Sequence, residues 1–413
     1  MMPVKDANTP LVSAVIVTYN SRGDIAACLD ALLASDWPRL EIIVVDNASV
    51  DGTAELVAQR FPSVKLLRSN ANLGFGGGNN LGVAQCRGEI VLVLNPDVRL
   101  LPAAVRAFVD AFAADARLGI AGAKLLYQDG RTIQHAGGVV EHPLATTRHL
   151  GYGEPDRGQY DQPFDADFVT GAALALRRDA FTVLGGFDAA LYPVYYEDVD
   201  LCYRARAAGW RVGYVPGAVG LHRTSVSLDP ASETYYRFYH ANRVRFVLKH
   251  YTTAQIVSGF LPAEGARLAR SMPAADRRAS QDVYRSLGEK TMVKMTSQLD
   301  SAQSTELESL VTDLDARWLV RERPFISHAP LFGPVIARFR ALWNGISTRW
   351  YVQPILQQQV EFNAAVLRAV SALARRVDSQ ETMTQASQAM LGQRLLEVED
   401  RLARIEQGVG SRE

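Results

Sequence analysis

Cysteine is scarce in this chain of 413 residues: Cys28, Cys86 and Cys202 stand far apart, with no CxxC pair. That spacing argues against a disulfide framework or a cysteine-ligated metal and fits a reducing compartment, with all three thiols serving as small buried hydrophobes. Net charge is lacking too, because 44 Lys+Arg balance 44 Asp+Glu. Without a global basic field nucleic acid is disfavoured as a partner, and any polyanion or membrane site has to be local. No apolar run approaches the ~18 residues of a membrane span. The opening MMPVKDANTPLVSAVIV puts charge and proline before a short apolar run that Thr18 and Asn20 end, unlike a secretory leader. A cytoplasmic protein is the expectation.

What is present describes an ordinary folded chain. Hydrophobic residues make up 48% and charged residues 21%, the balance of a packed protein and not of a disordered one. Single cores seldom grow past about 250 to 300 residues, so two regions are expected. The runs SAVIVT (13–18), EIIVV (41–45) and EIVLVL (89–94) have the content of parallel strands buried on both faces. Each ends in a polar element: Tyr19-Asn20, Asp46-Asn47 and Asn95-Pro96-Asp97. Between the first two, Ile25, Cys28, Leu29, Leu32 and Leu33 recur at helical spacing, and Ser21 with Asp24 resembles a capping box. A helix over about 53–60 and a strand over 64–67 follow the Asp51-Gly52 turn. Repeated strand and helix units predict an open, mainly parallel α/β sheet whose ligands sit beyond the carboxyl ends of the strands, where Asp46 and Asp97 fall. Strand-like pieces at 119–126, 168–176 and 212–215 make a mixed second half, expected to supply the substrate wall. Past about 254 the pattern turns helical, with breaks at Pro324, Pro330 and Pro334, which places a domain boundary near 250.

Four features carry chemistry. Asp46 alone reads as a turn or helix cap, but the pairing with a second strand-end acid changes that reading, because a hard cation on a diphosphate nucleotide requires carboxylate oxygen, which Asp97 can supply. Asn72-Leu-Gly-Phe-Gly-Gly-Gly-Asn-Asn80 reads as a loop in which glycines let backbone approach a bulky ligand or simply flex; Asn79 stands where the last glycine of GxGxxG belongs. Tyr195-Tyr196-Glu197-Asp198-Val199-Asp200 crowds three carboxylates into four positions. Such a run is either a solvated face or, set among aromatics, the source of a desolvated general base beside a sugar-stacking surface. His222, in GLHRTS, is placed in a polar turn, where it is either unremarkable or a ligand.

Taken in order, VSAVIVTYN, EIIVVDNASVDGT, NLGFGGGNN, EIVLVLNPDV, FVTGAALALRRDAF, LGGFDAALY, YYEDVDLCYRARAAGW and GLHRTS resemble the motifs of family 2 glycosyltransferases, above all the bacterial rhamnosyltransferase-like branch, over about residues 11–250. The resemblance implies a GT-A (Rossmann-like) domain, a nucleotide-diphosphate sugar donor, a Mg2+ or Mn2+ ion and inversion at the anomeric carbon. It assigns donor binding to Thr18, Tyr19, Asn20, Asp46, Gly76, Asn79 and Asn95. The metal-binding DxD falls on Asn95-Pro96-Asp97, which leaves Asp97 as the anionic ligand there, with His222 as the late metal-binding histidine. Asp198 becomes the catalytic base with Glu197 beside it. Phe168, Thr170, Gly171 and Arg204 are given to the acceptor.

Beyond the catalytic domain the sequence predicts a helical accessory region (251–323), an amphipathic membrane-surface segment (324–354) and a coiled-coil helix (355–407). Between Arg323 and Glu361 no acidic residue occurs, while Phe332, Val335, Ile336, Phe339, Leu342, Trp343, Ile346 and Trp350 recur at helical spacing, the pattern of a helix lying in a membrane interface or packed on the catalytic domain. Val360, Leu367, Val370, Val377, Leu391, Leu395, Val398, Leu402 and Ile405 share one heptad register, which fits either self-association or a helical hairpin. The function expected is transfer of a sugar, rhamnose by resemblance, to a lipid-linked cell-surface glycan such as O-antigen, by a homo-oligomer peripheral on the inner face of the cytoplasmic membrane. The competing readings are a catalytically silent scaffold of the same fold and a sugar nucleotidyltransferase, the latter lacking its basic, glycine-rich signature at TYNSRGD.

Overall fold

The computed structural model describes residues 9–223 and 232–296. The segments expected at 324–354 and 355–407 lie outside the described residues. The chain divides into two compact units, Met1–Tyr251 with Met272–Tyr284, and Thr252–Ser271 with Arg285–Glu413. In the second, a π-helical turn at Ile256–Phe260 precedes a helix at Leu261–Ala269. No described helix is long and apolar enough to cross a membrane.

The first unit is a twisted α/β sheet. β1 (Val12–Thr18), β2 (Leu40–Asp46), β3 (Lys65–Arg68) and β4 (Ile90–Leu94) are parallel in the order β4-β1-β2-β3. After β5 (Val98–Leu100) the pattern becomes mixed. β6 (Leu118–Leu126) is joined at one end by β7 (Ile133–His135). β8 (Gly138–Glu141) and β9 (Thr146–His149) form a separate hairpin. β10 (Phe164–Asp165), β11 (Ala173–Arg177) and β12 (Arg211–His222) complete the sheet, with β11 inserted antiparallel between β4 and β6. The register fixes two neighbourhoods of polar residues: Thr18 lies beside Asp46, and His222 lies beside Val98, the residue after Asp97.

Alternation along β1 sends its side chains to two layers. Ala14 and Ile16 join Leu29 and Leu32 of α1 (Ile25–Leu33) and Phe108 and Phe112 of α4 (Ala104–Ala114) in the main core. Each Ile, Leu or Phe side chain among them, taken fully out of water, contributes about 1.5–3 kcal/mol. Val15 and Val17 point the other way, against α3 (Gly74–Val83). α2 (Thr53–Arg60) completes the parallel half, as the sequence predicts.

α3 corrects the reading of its segment as a loop. A Cβ on Gly78 would sit 2.7 Å from Val17 Cγ1, and one on Gly82 would sit 2.4 Å from Val15 Cγ1. The glycines therefore let a helix lie directly on two β-branched side chains. Glycine weakens a helix by about 1 kcal/mol relative to alanine, and the close packing, with Asn47 Oδ1 accepting from Leu73 N at 2.9 Å, offsets that loss. The capping box at Ser21 and Asp24 does not form either. Asp24 makes no side-chain cap, Ser21 Oγ turns back to the Tyr19 backbone, and Asp24 pairs with Arg223.

Candidate active site

The first wall is built by the turns after β1 and β2. Thr18 Oγ1 donates to Asp46 Oδ1 at 3.2 Å, and Ser49 N donates to Asp46 Oδ2 at 3.2 Å. Across the turns, Asn20 N donates to Ser49 Oγ and Val50 N to Asn20 Oδ1, both at 2.9 Å. Asn20 and Ala48 adopt left-handed backbone (φ 51° and 62°), which turns both loops sharply outward. Asp46 is buried and held by these hydrogen bonds, while Tyr19 is 52% exposed. The turn-forming role of Asp46 is thus real, and a ligand role would be added to it.

The second wall joins Asp97 to His222, which closes strand β12 and does not stand in a turn. Arg223 N donates to Asp97 O at 3.1 Å, and His222 Nε2 lies 3.2 Å from Asp97 Oδ1. The other ring nitrogen, Nδ1, is hydrogen-bonded to the side-chain oxygen of Gln134. An amide oxygen can only accept, so Nδ1 carries hydrogen and in the neutral ring Nε2 presents its lone pair to the carboxylate. Two electron-rich atoms facing each other call for a proton or a cation between them. Ligand bonds of about 2.1 Å at right angles place neighbouring ligand atoms about 3 Å apart, which these residues match, with Gln134 holding the imidazole as outer partners of metal-bound histidines do. Among the described residues no three His, Cys, Asp or Glu side chains gather around an ion site, so further ligands would have to come from elsewhere. Asn95 is held by its backbone, its N donating to Ala172 O at 2.9 Å and its carbonyl accepting from Val98 N.

The third wall is the start of α6 (Glu197–Ala207), entered through two successive left-handed residues, Tyr195 and Tyr196 (φ 80° and 71°). Their strain is held by Tyr196 Oη donating to Ala145 O at 2.5 Å and by Asn242 Nδ2 donating to the carbonyls of Val194 and Tyr195. Here the three crowded carboxylates part ways. Burial raises the pKa of Asp198, and N–H bonds from Gly171 (2.7 Å) and Val199 (2.8 Å) offset only part of that rise. Glu197, 3% exposed, is pushed well above the usual range by burial and then by the Asp198 charge, and its Oε1 has no partner. Asp200 is fully buried, which alone would raise it, yet hydrogen bonds from His250, Lys249 and Arg204 bring it down to about 2. Environments that drive neighbouring acids apart in this way sort a base from a structural anion.

The remaining expected residues take varied places. Gly171 delivers its N–H to Asp198, and a Cβ there would meet Phe75 Cζ at 2.7 Å. Thr170 is half-buried beside it, whereas Phe168, 2% exposed, belongs to the core beneath. Gly76 and Asn79 are buried in α3, where a Cβ on Gly76 would lie 3.1 Å from Phe187 and 3.8 Å from Glu197 Cγ. Arg204, expected at the acceptor, is engaged elsewhere: Nε binds Asp200 at 2.8 Å, and its terminal nitrogens bind Leu184 O and Gly186 O at 2.6 and 2.7 Å. It fixes the turn before Phe187. Nothing in the sequence marks Gln134, His135 or His149, which no spacing sets apart from ordinary strand and turn polars.

A mixed α/β sheet with a parallel first half and acids at its strand ends, an Asp97–His222 pair and a raised carboxyl at a helix start fit a glycosyltransferase domain of GT-A type. Comparison with known proteins bears this out. The Glycosyl transferase family 2 profile matches residues 13–185. The chain is 34% identical over 255 residues to the N-acetylglucosaminyl-diphospho-decaprenol L-rhamnosyltransferase of Mycobacterium tuberculosis, covering 54% of this chain and 80% of that protein. It is 36% identical over 232 residues to the uncharacterized protein y4gI of Sinorhizobium fredii, covering 53% of this chain but 25% of that protein. The crystal structure of GalNAc-T7 with UDP, GalNAc and Mn2+ superposes with a TM-score of 0.51 at 16% identity, over 68% of this chain and 55% of that one, a likeness of fold. The chain belongs to glycosyl transferase family 2, in its bacterial rhamnosyltransferase-like part.

Proposed function

We propose that the protein transfers a sugar, rhamnose by its likeness to the mycobacterial relative, from a nucleoside-diphosphate donor to a hydroxyl of a lipid-linked glycan precursor, with inversion. The observation that carries this reading is the carboxyl of Asp198, held by the Gly171 N–H at 2.7 Å and raised by burial while its neighbour Asp200 is lowered. A carboxylate so desolvated is a stronger base than one in water. Asp198 accepts the proton of the acceptor hydroxyl as that oxygen attacks the anomeric carbon, and the diphosphate leaves from the opposite face. Thr18, Tyr19, Asn20 and Asp46 receive the nucleotide, with Asn95 beside them. Asp97 and His222 would hold a Mg2+ or Mn2+ ion, whose Lewis acidity neutralises charge on the leaving diphosphate. Glu197 keeps Asp198 from a charged neighbour by remaining protonated. The segments at 324–354 and 355–407 would bring the enzyme to the membrane surface as an oligomer.

Donor-induced thermal stabilisation, measured over a panel of nucleotide sugars with and without Mn2+, tests the donor and the ion together. The reading expects one donor to raise Tm more strongly with Mn2+, and Asp97→Ala to abolish the Mn2+ increment, with His222→Ala weakening it less because an anion holds a hard cation better than imidazole does. An increment unchanged in Asp97→Ala contradicts the ion assignment. A chain stabilised by no nucleotide sugar contradicts the donor class.

A further inference from the structure

We infer that His149 binds the acceptor sugar, donating its Nε2–H to an acceptor oxygen, and that His135 is the positioning residue that sets this polarity. The inference rests on the glycosyl-transfer reading and adds a residue to it. Thr170 N–H donates to His135 Nε2 at 3.3 Å. A ring nitrogen that accepts carries no hydrogen, so the hydrogen of the neutral His135 ring resides on Nδ1. That nitrogen faces His149 Nδ1 at 2.7 Å, and His149 Nδ1 must therefore accept. The hydrogen of His149 is left on Nε2, for which the described residues supply no acceptor. Running the chain the other way would set the Thr170 N–H against an N–H on His135.

Both rings are uncharged, as the chain requires. His135 is pushed well below the usual imidazole range by burial and then by His149 and His222, and His149 falls to about 4 through burial and the nearby His222. Packing holds them in place, because the Phe168 ring meets His149 edge-on at 5.4 Å and His135 at 6.0 Å. Gly138, the β-partner of His149, has no room for a side chain, since a Cβ there would lie 2.2 Å from the Phe168 ring.

Location favours the acceptor over the donor. The chain begins at Thr170 N, one peptide from the Gly171 N–H that holds Asp198. β7, which carries His135, joins β6, with β11 and β4 intervening before the donor-side strand β1. Tyr152, 64% exposed with its ring 6.5 Å from His149, adds an aromatic face beside the open N–H, the combination that sugar rings use.

Two measurements on the full chain test this. Long-range 1H–15N spectra of the histidine rings in the protein without substrate should show the Nδ1–H form for His135 and the Nε2–H form for His149; the Nδ1–H form at His149 overturns the inference whatever the activity. Kinetics with an N-acetylglucosaminyl-diphospho-polyprenol analogue as acceptor supply the second arm. Loss of one hydrogen bond predicts an acceptor KM about tenfold higher in His149→Phe, with donor-induced stabilisation retained and recovery in His149→Gln, whose amide NH2 can stand near Nε2–H. An unchanged acceptor KM in a folded, active His149→Phe overturns the inference alone, as does a change in donor KM only. A wild type that binds no nucleotide sugar instead overturns the reading on which it rests.

Discussion

Three carboxylates within four residues would be indistinguishable as side chains in water, and the fold gives each a different task. Asp200 is the structural one, bound by Arg204, Lys249 and His250 at 2.7–2.8 Å. Its pKa of about 2 lies below the ordinary aspartate value of ~4. A depressed value means that the ionised form stabilises the fold, fully so above about pH 4, and that this is lost as pH falls toward 2. Asp200→Ala should therefore lower the unfolding free energy by about 3 kcal/mol at pH 7, since it removes the buried anion that Arg204, Lys249 and His250 share. The gap to wild type, followed by urea denaturation, should narrow between pH 4 and pH 2; a gap independent of pH would mean that packing, not charge, is at stake. The sequence left these acids as either a solvated face or the source of a desolvated base, because the difference comes from Gly171, Lys249 and His250, at 27, 49 and 50 residues' distance from their targets. The His135–His149 pair was illegible for the same reason: it exists only because β7 and β9 bring together residues 14 apart.

At the scale of elements, strands were the legible part. Short runs of Val, Ile and Leu can do little else when both faces are buried, and β1, β2 and β4 lie where those runs stand. The glycine-rich segment was not legible, because glycine normally opposes helix, and the reason it is tolerated lies across the layer in Val15 and Val17. That reason can be tested. Gly82→Ala would raise helix propensity by about 1 kcal/mol, yet its Cβ would meet Val15 Cγ1 at 2.4 Å, and overpacking of this kind costs about 1–3 kcal/mol. The variant should be net destabilised, and Gly82→Ala combined with Val15→Ala should recover part of the loss. A stabilised single variant in chemical denaturation would show that α3 does not rest on β1 as described.

The whole molecule couples a catalytic unit of known family to a C-terminal region whose role is proposed from its sequence alone. Ending the chain at Arg323 removes the acid-free aromatic segment and the heptads. The variant should still be stabilised by donor, but should lose binding to anionic vesicles and most turnover on a lipid-linked acceptor, because two weak membrane contacts joined in one oligomer bind far more tightly than one. Vesicle co-sedimentation equal to that of the full chain would assign the membrane contact elsewhere. The central claim concerns the catalytic unit and rests on Asp198. Single-turnover transfer, with donor and enzyme pre-bound and the acceptor analogue added, compares wild type with Asp198→Asn most directly. The account predicts that the variant binds donor with near wild-type affinity and transfers sugar about 10²–10⁴ times more slowly, whereas transfer within a few-fold of wild type would contradict Asp198 as the base.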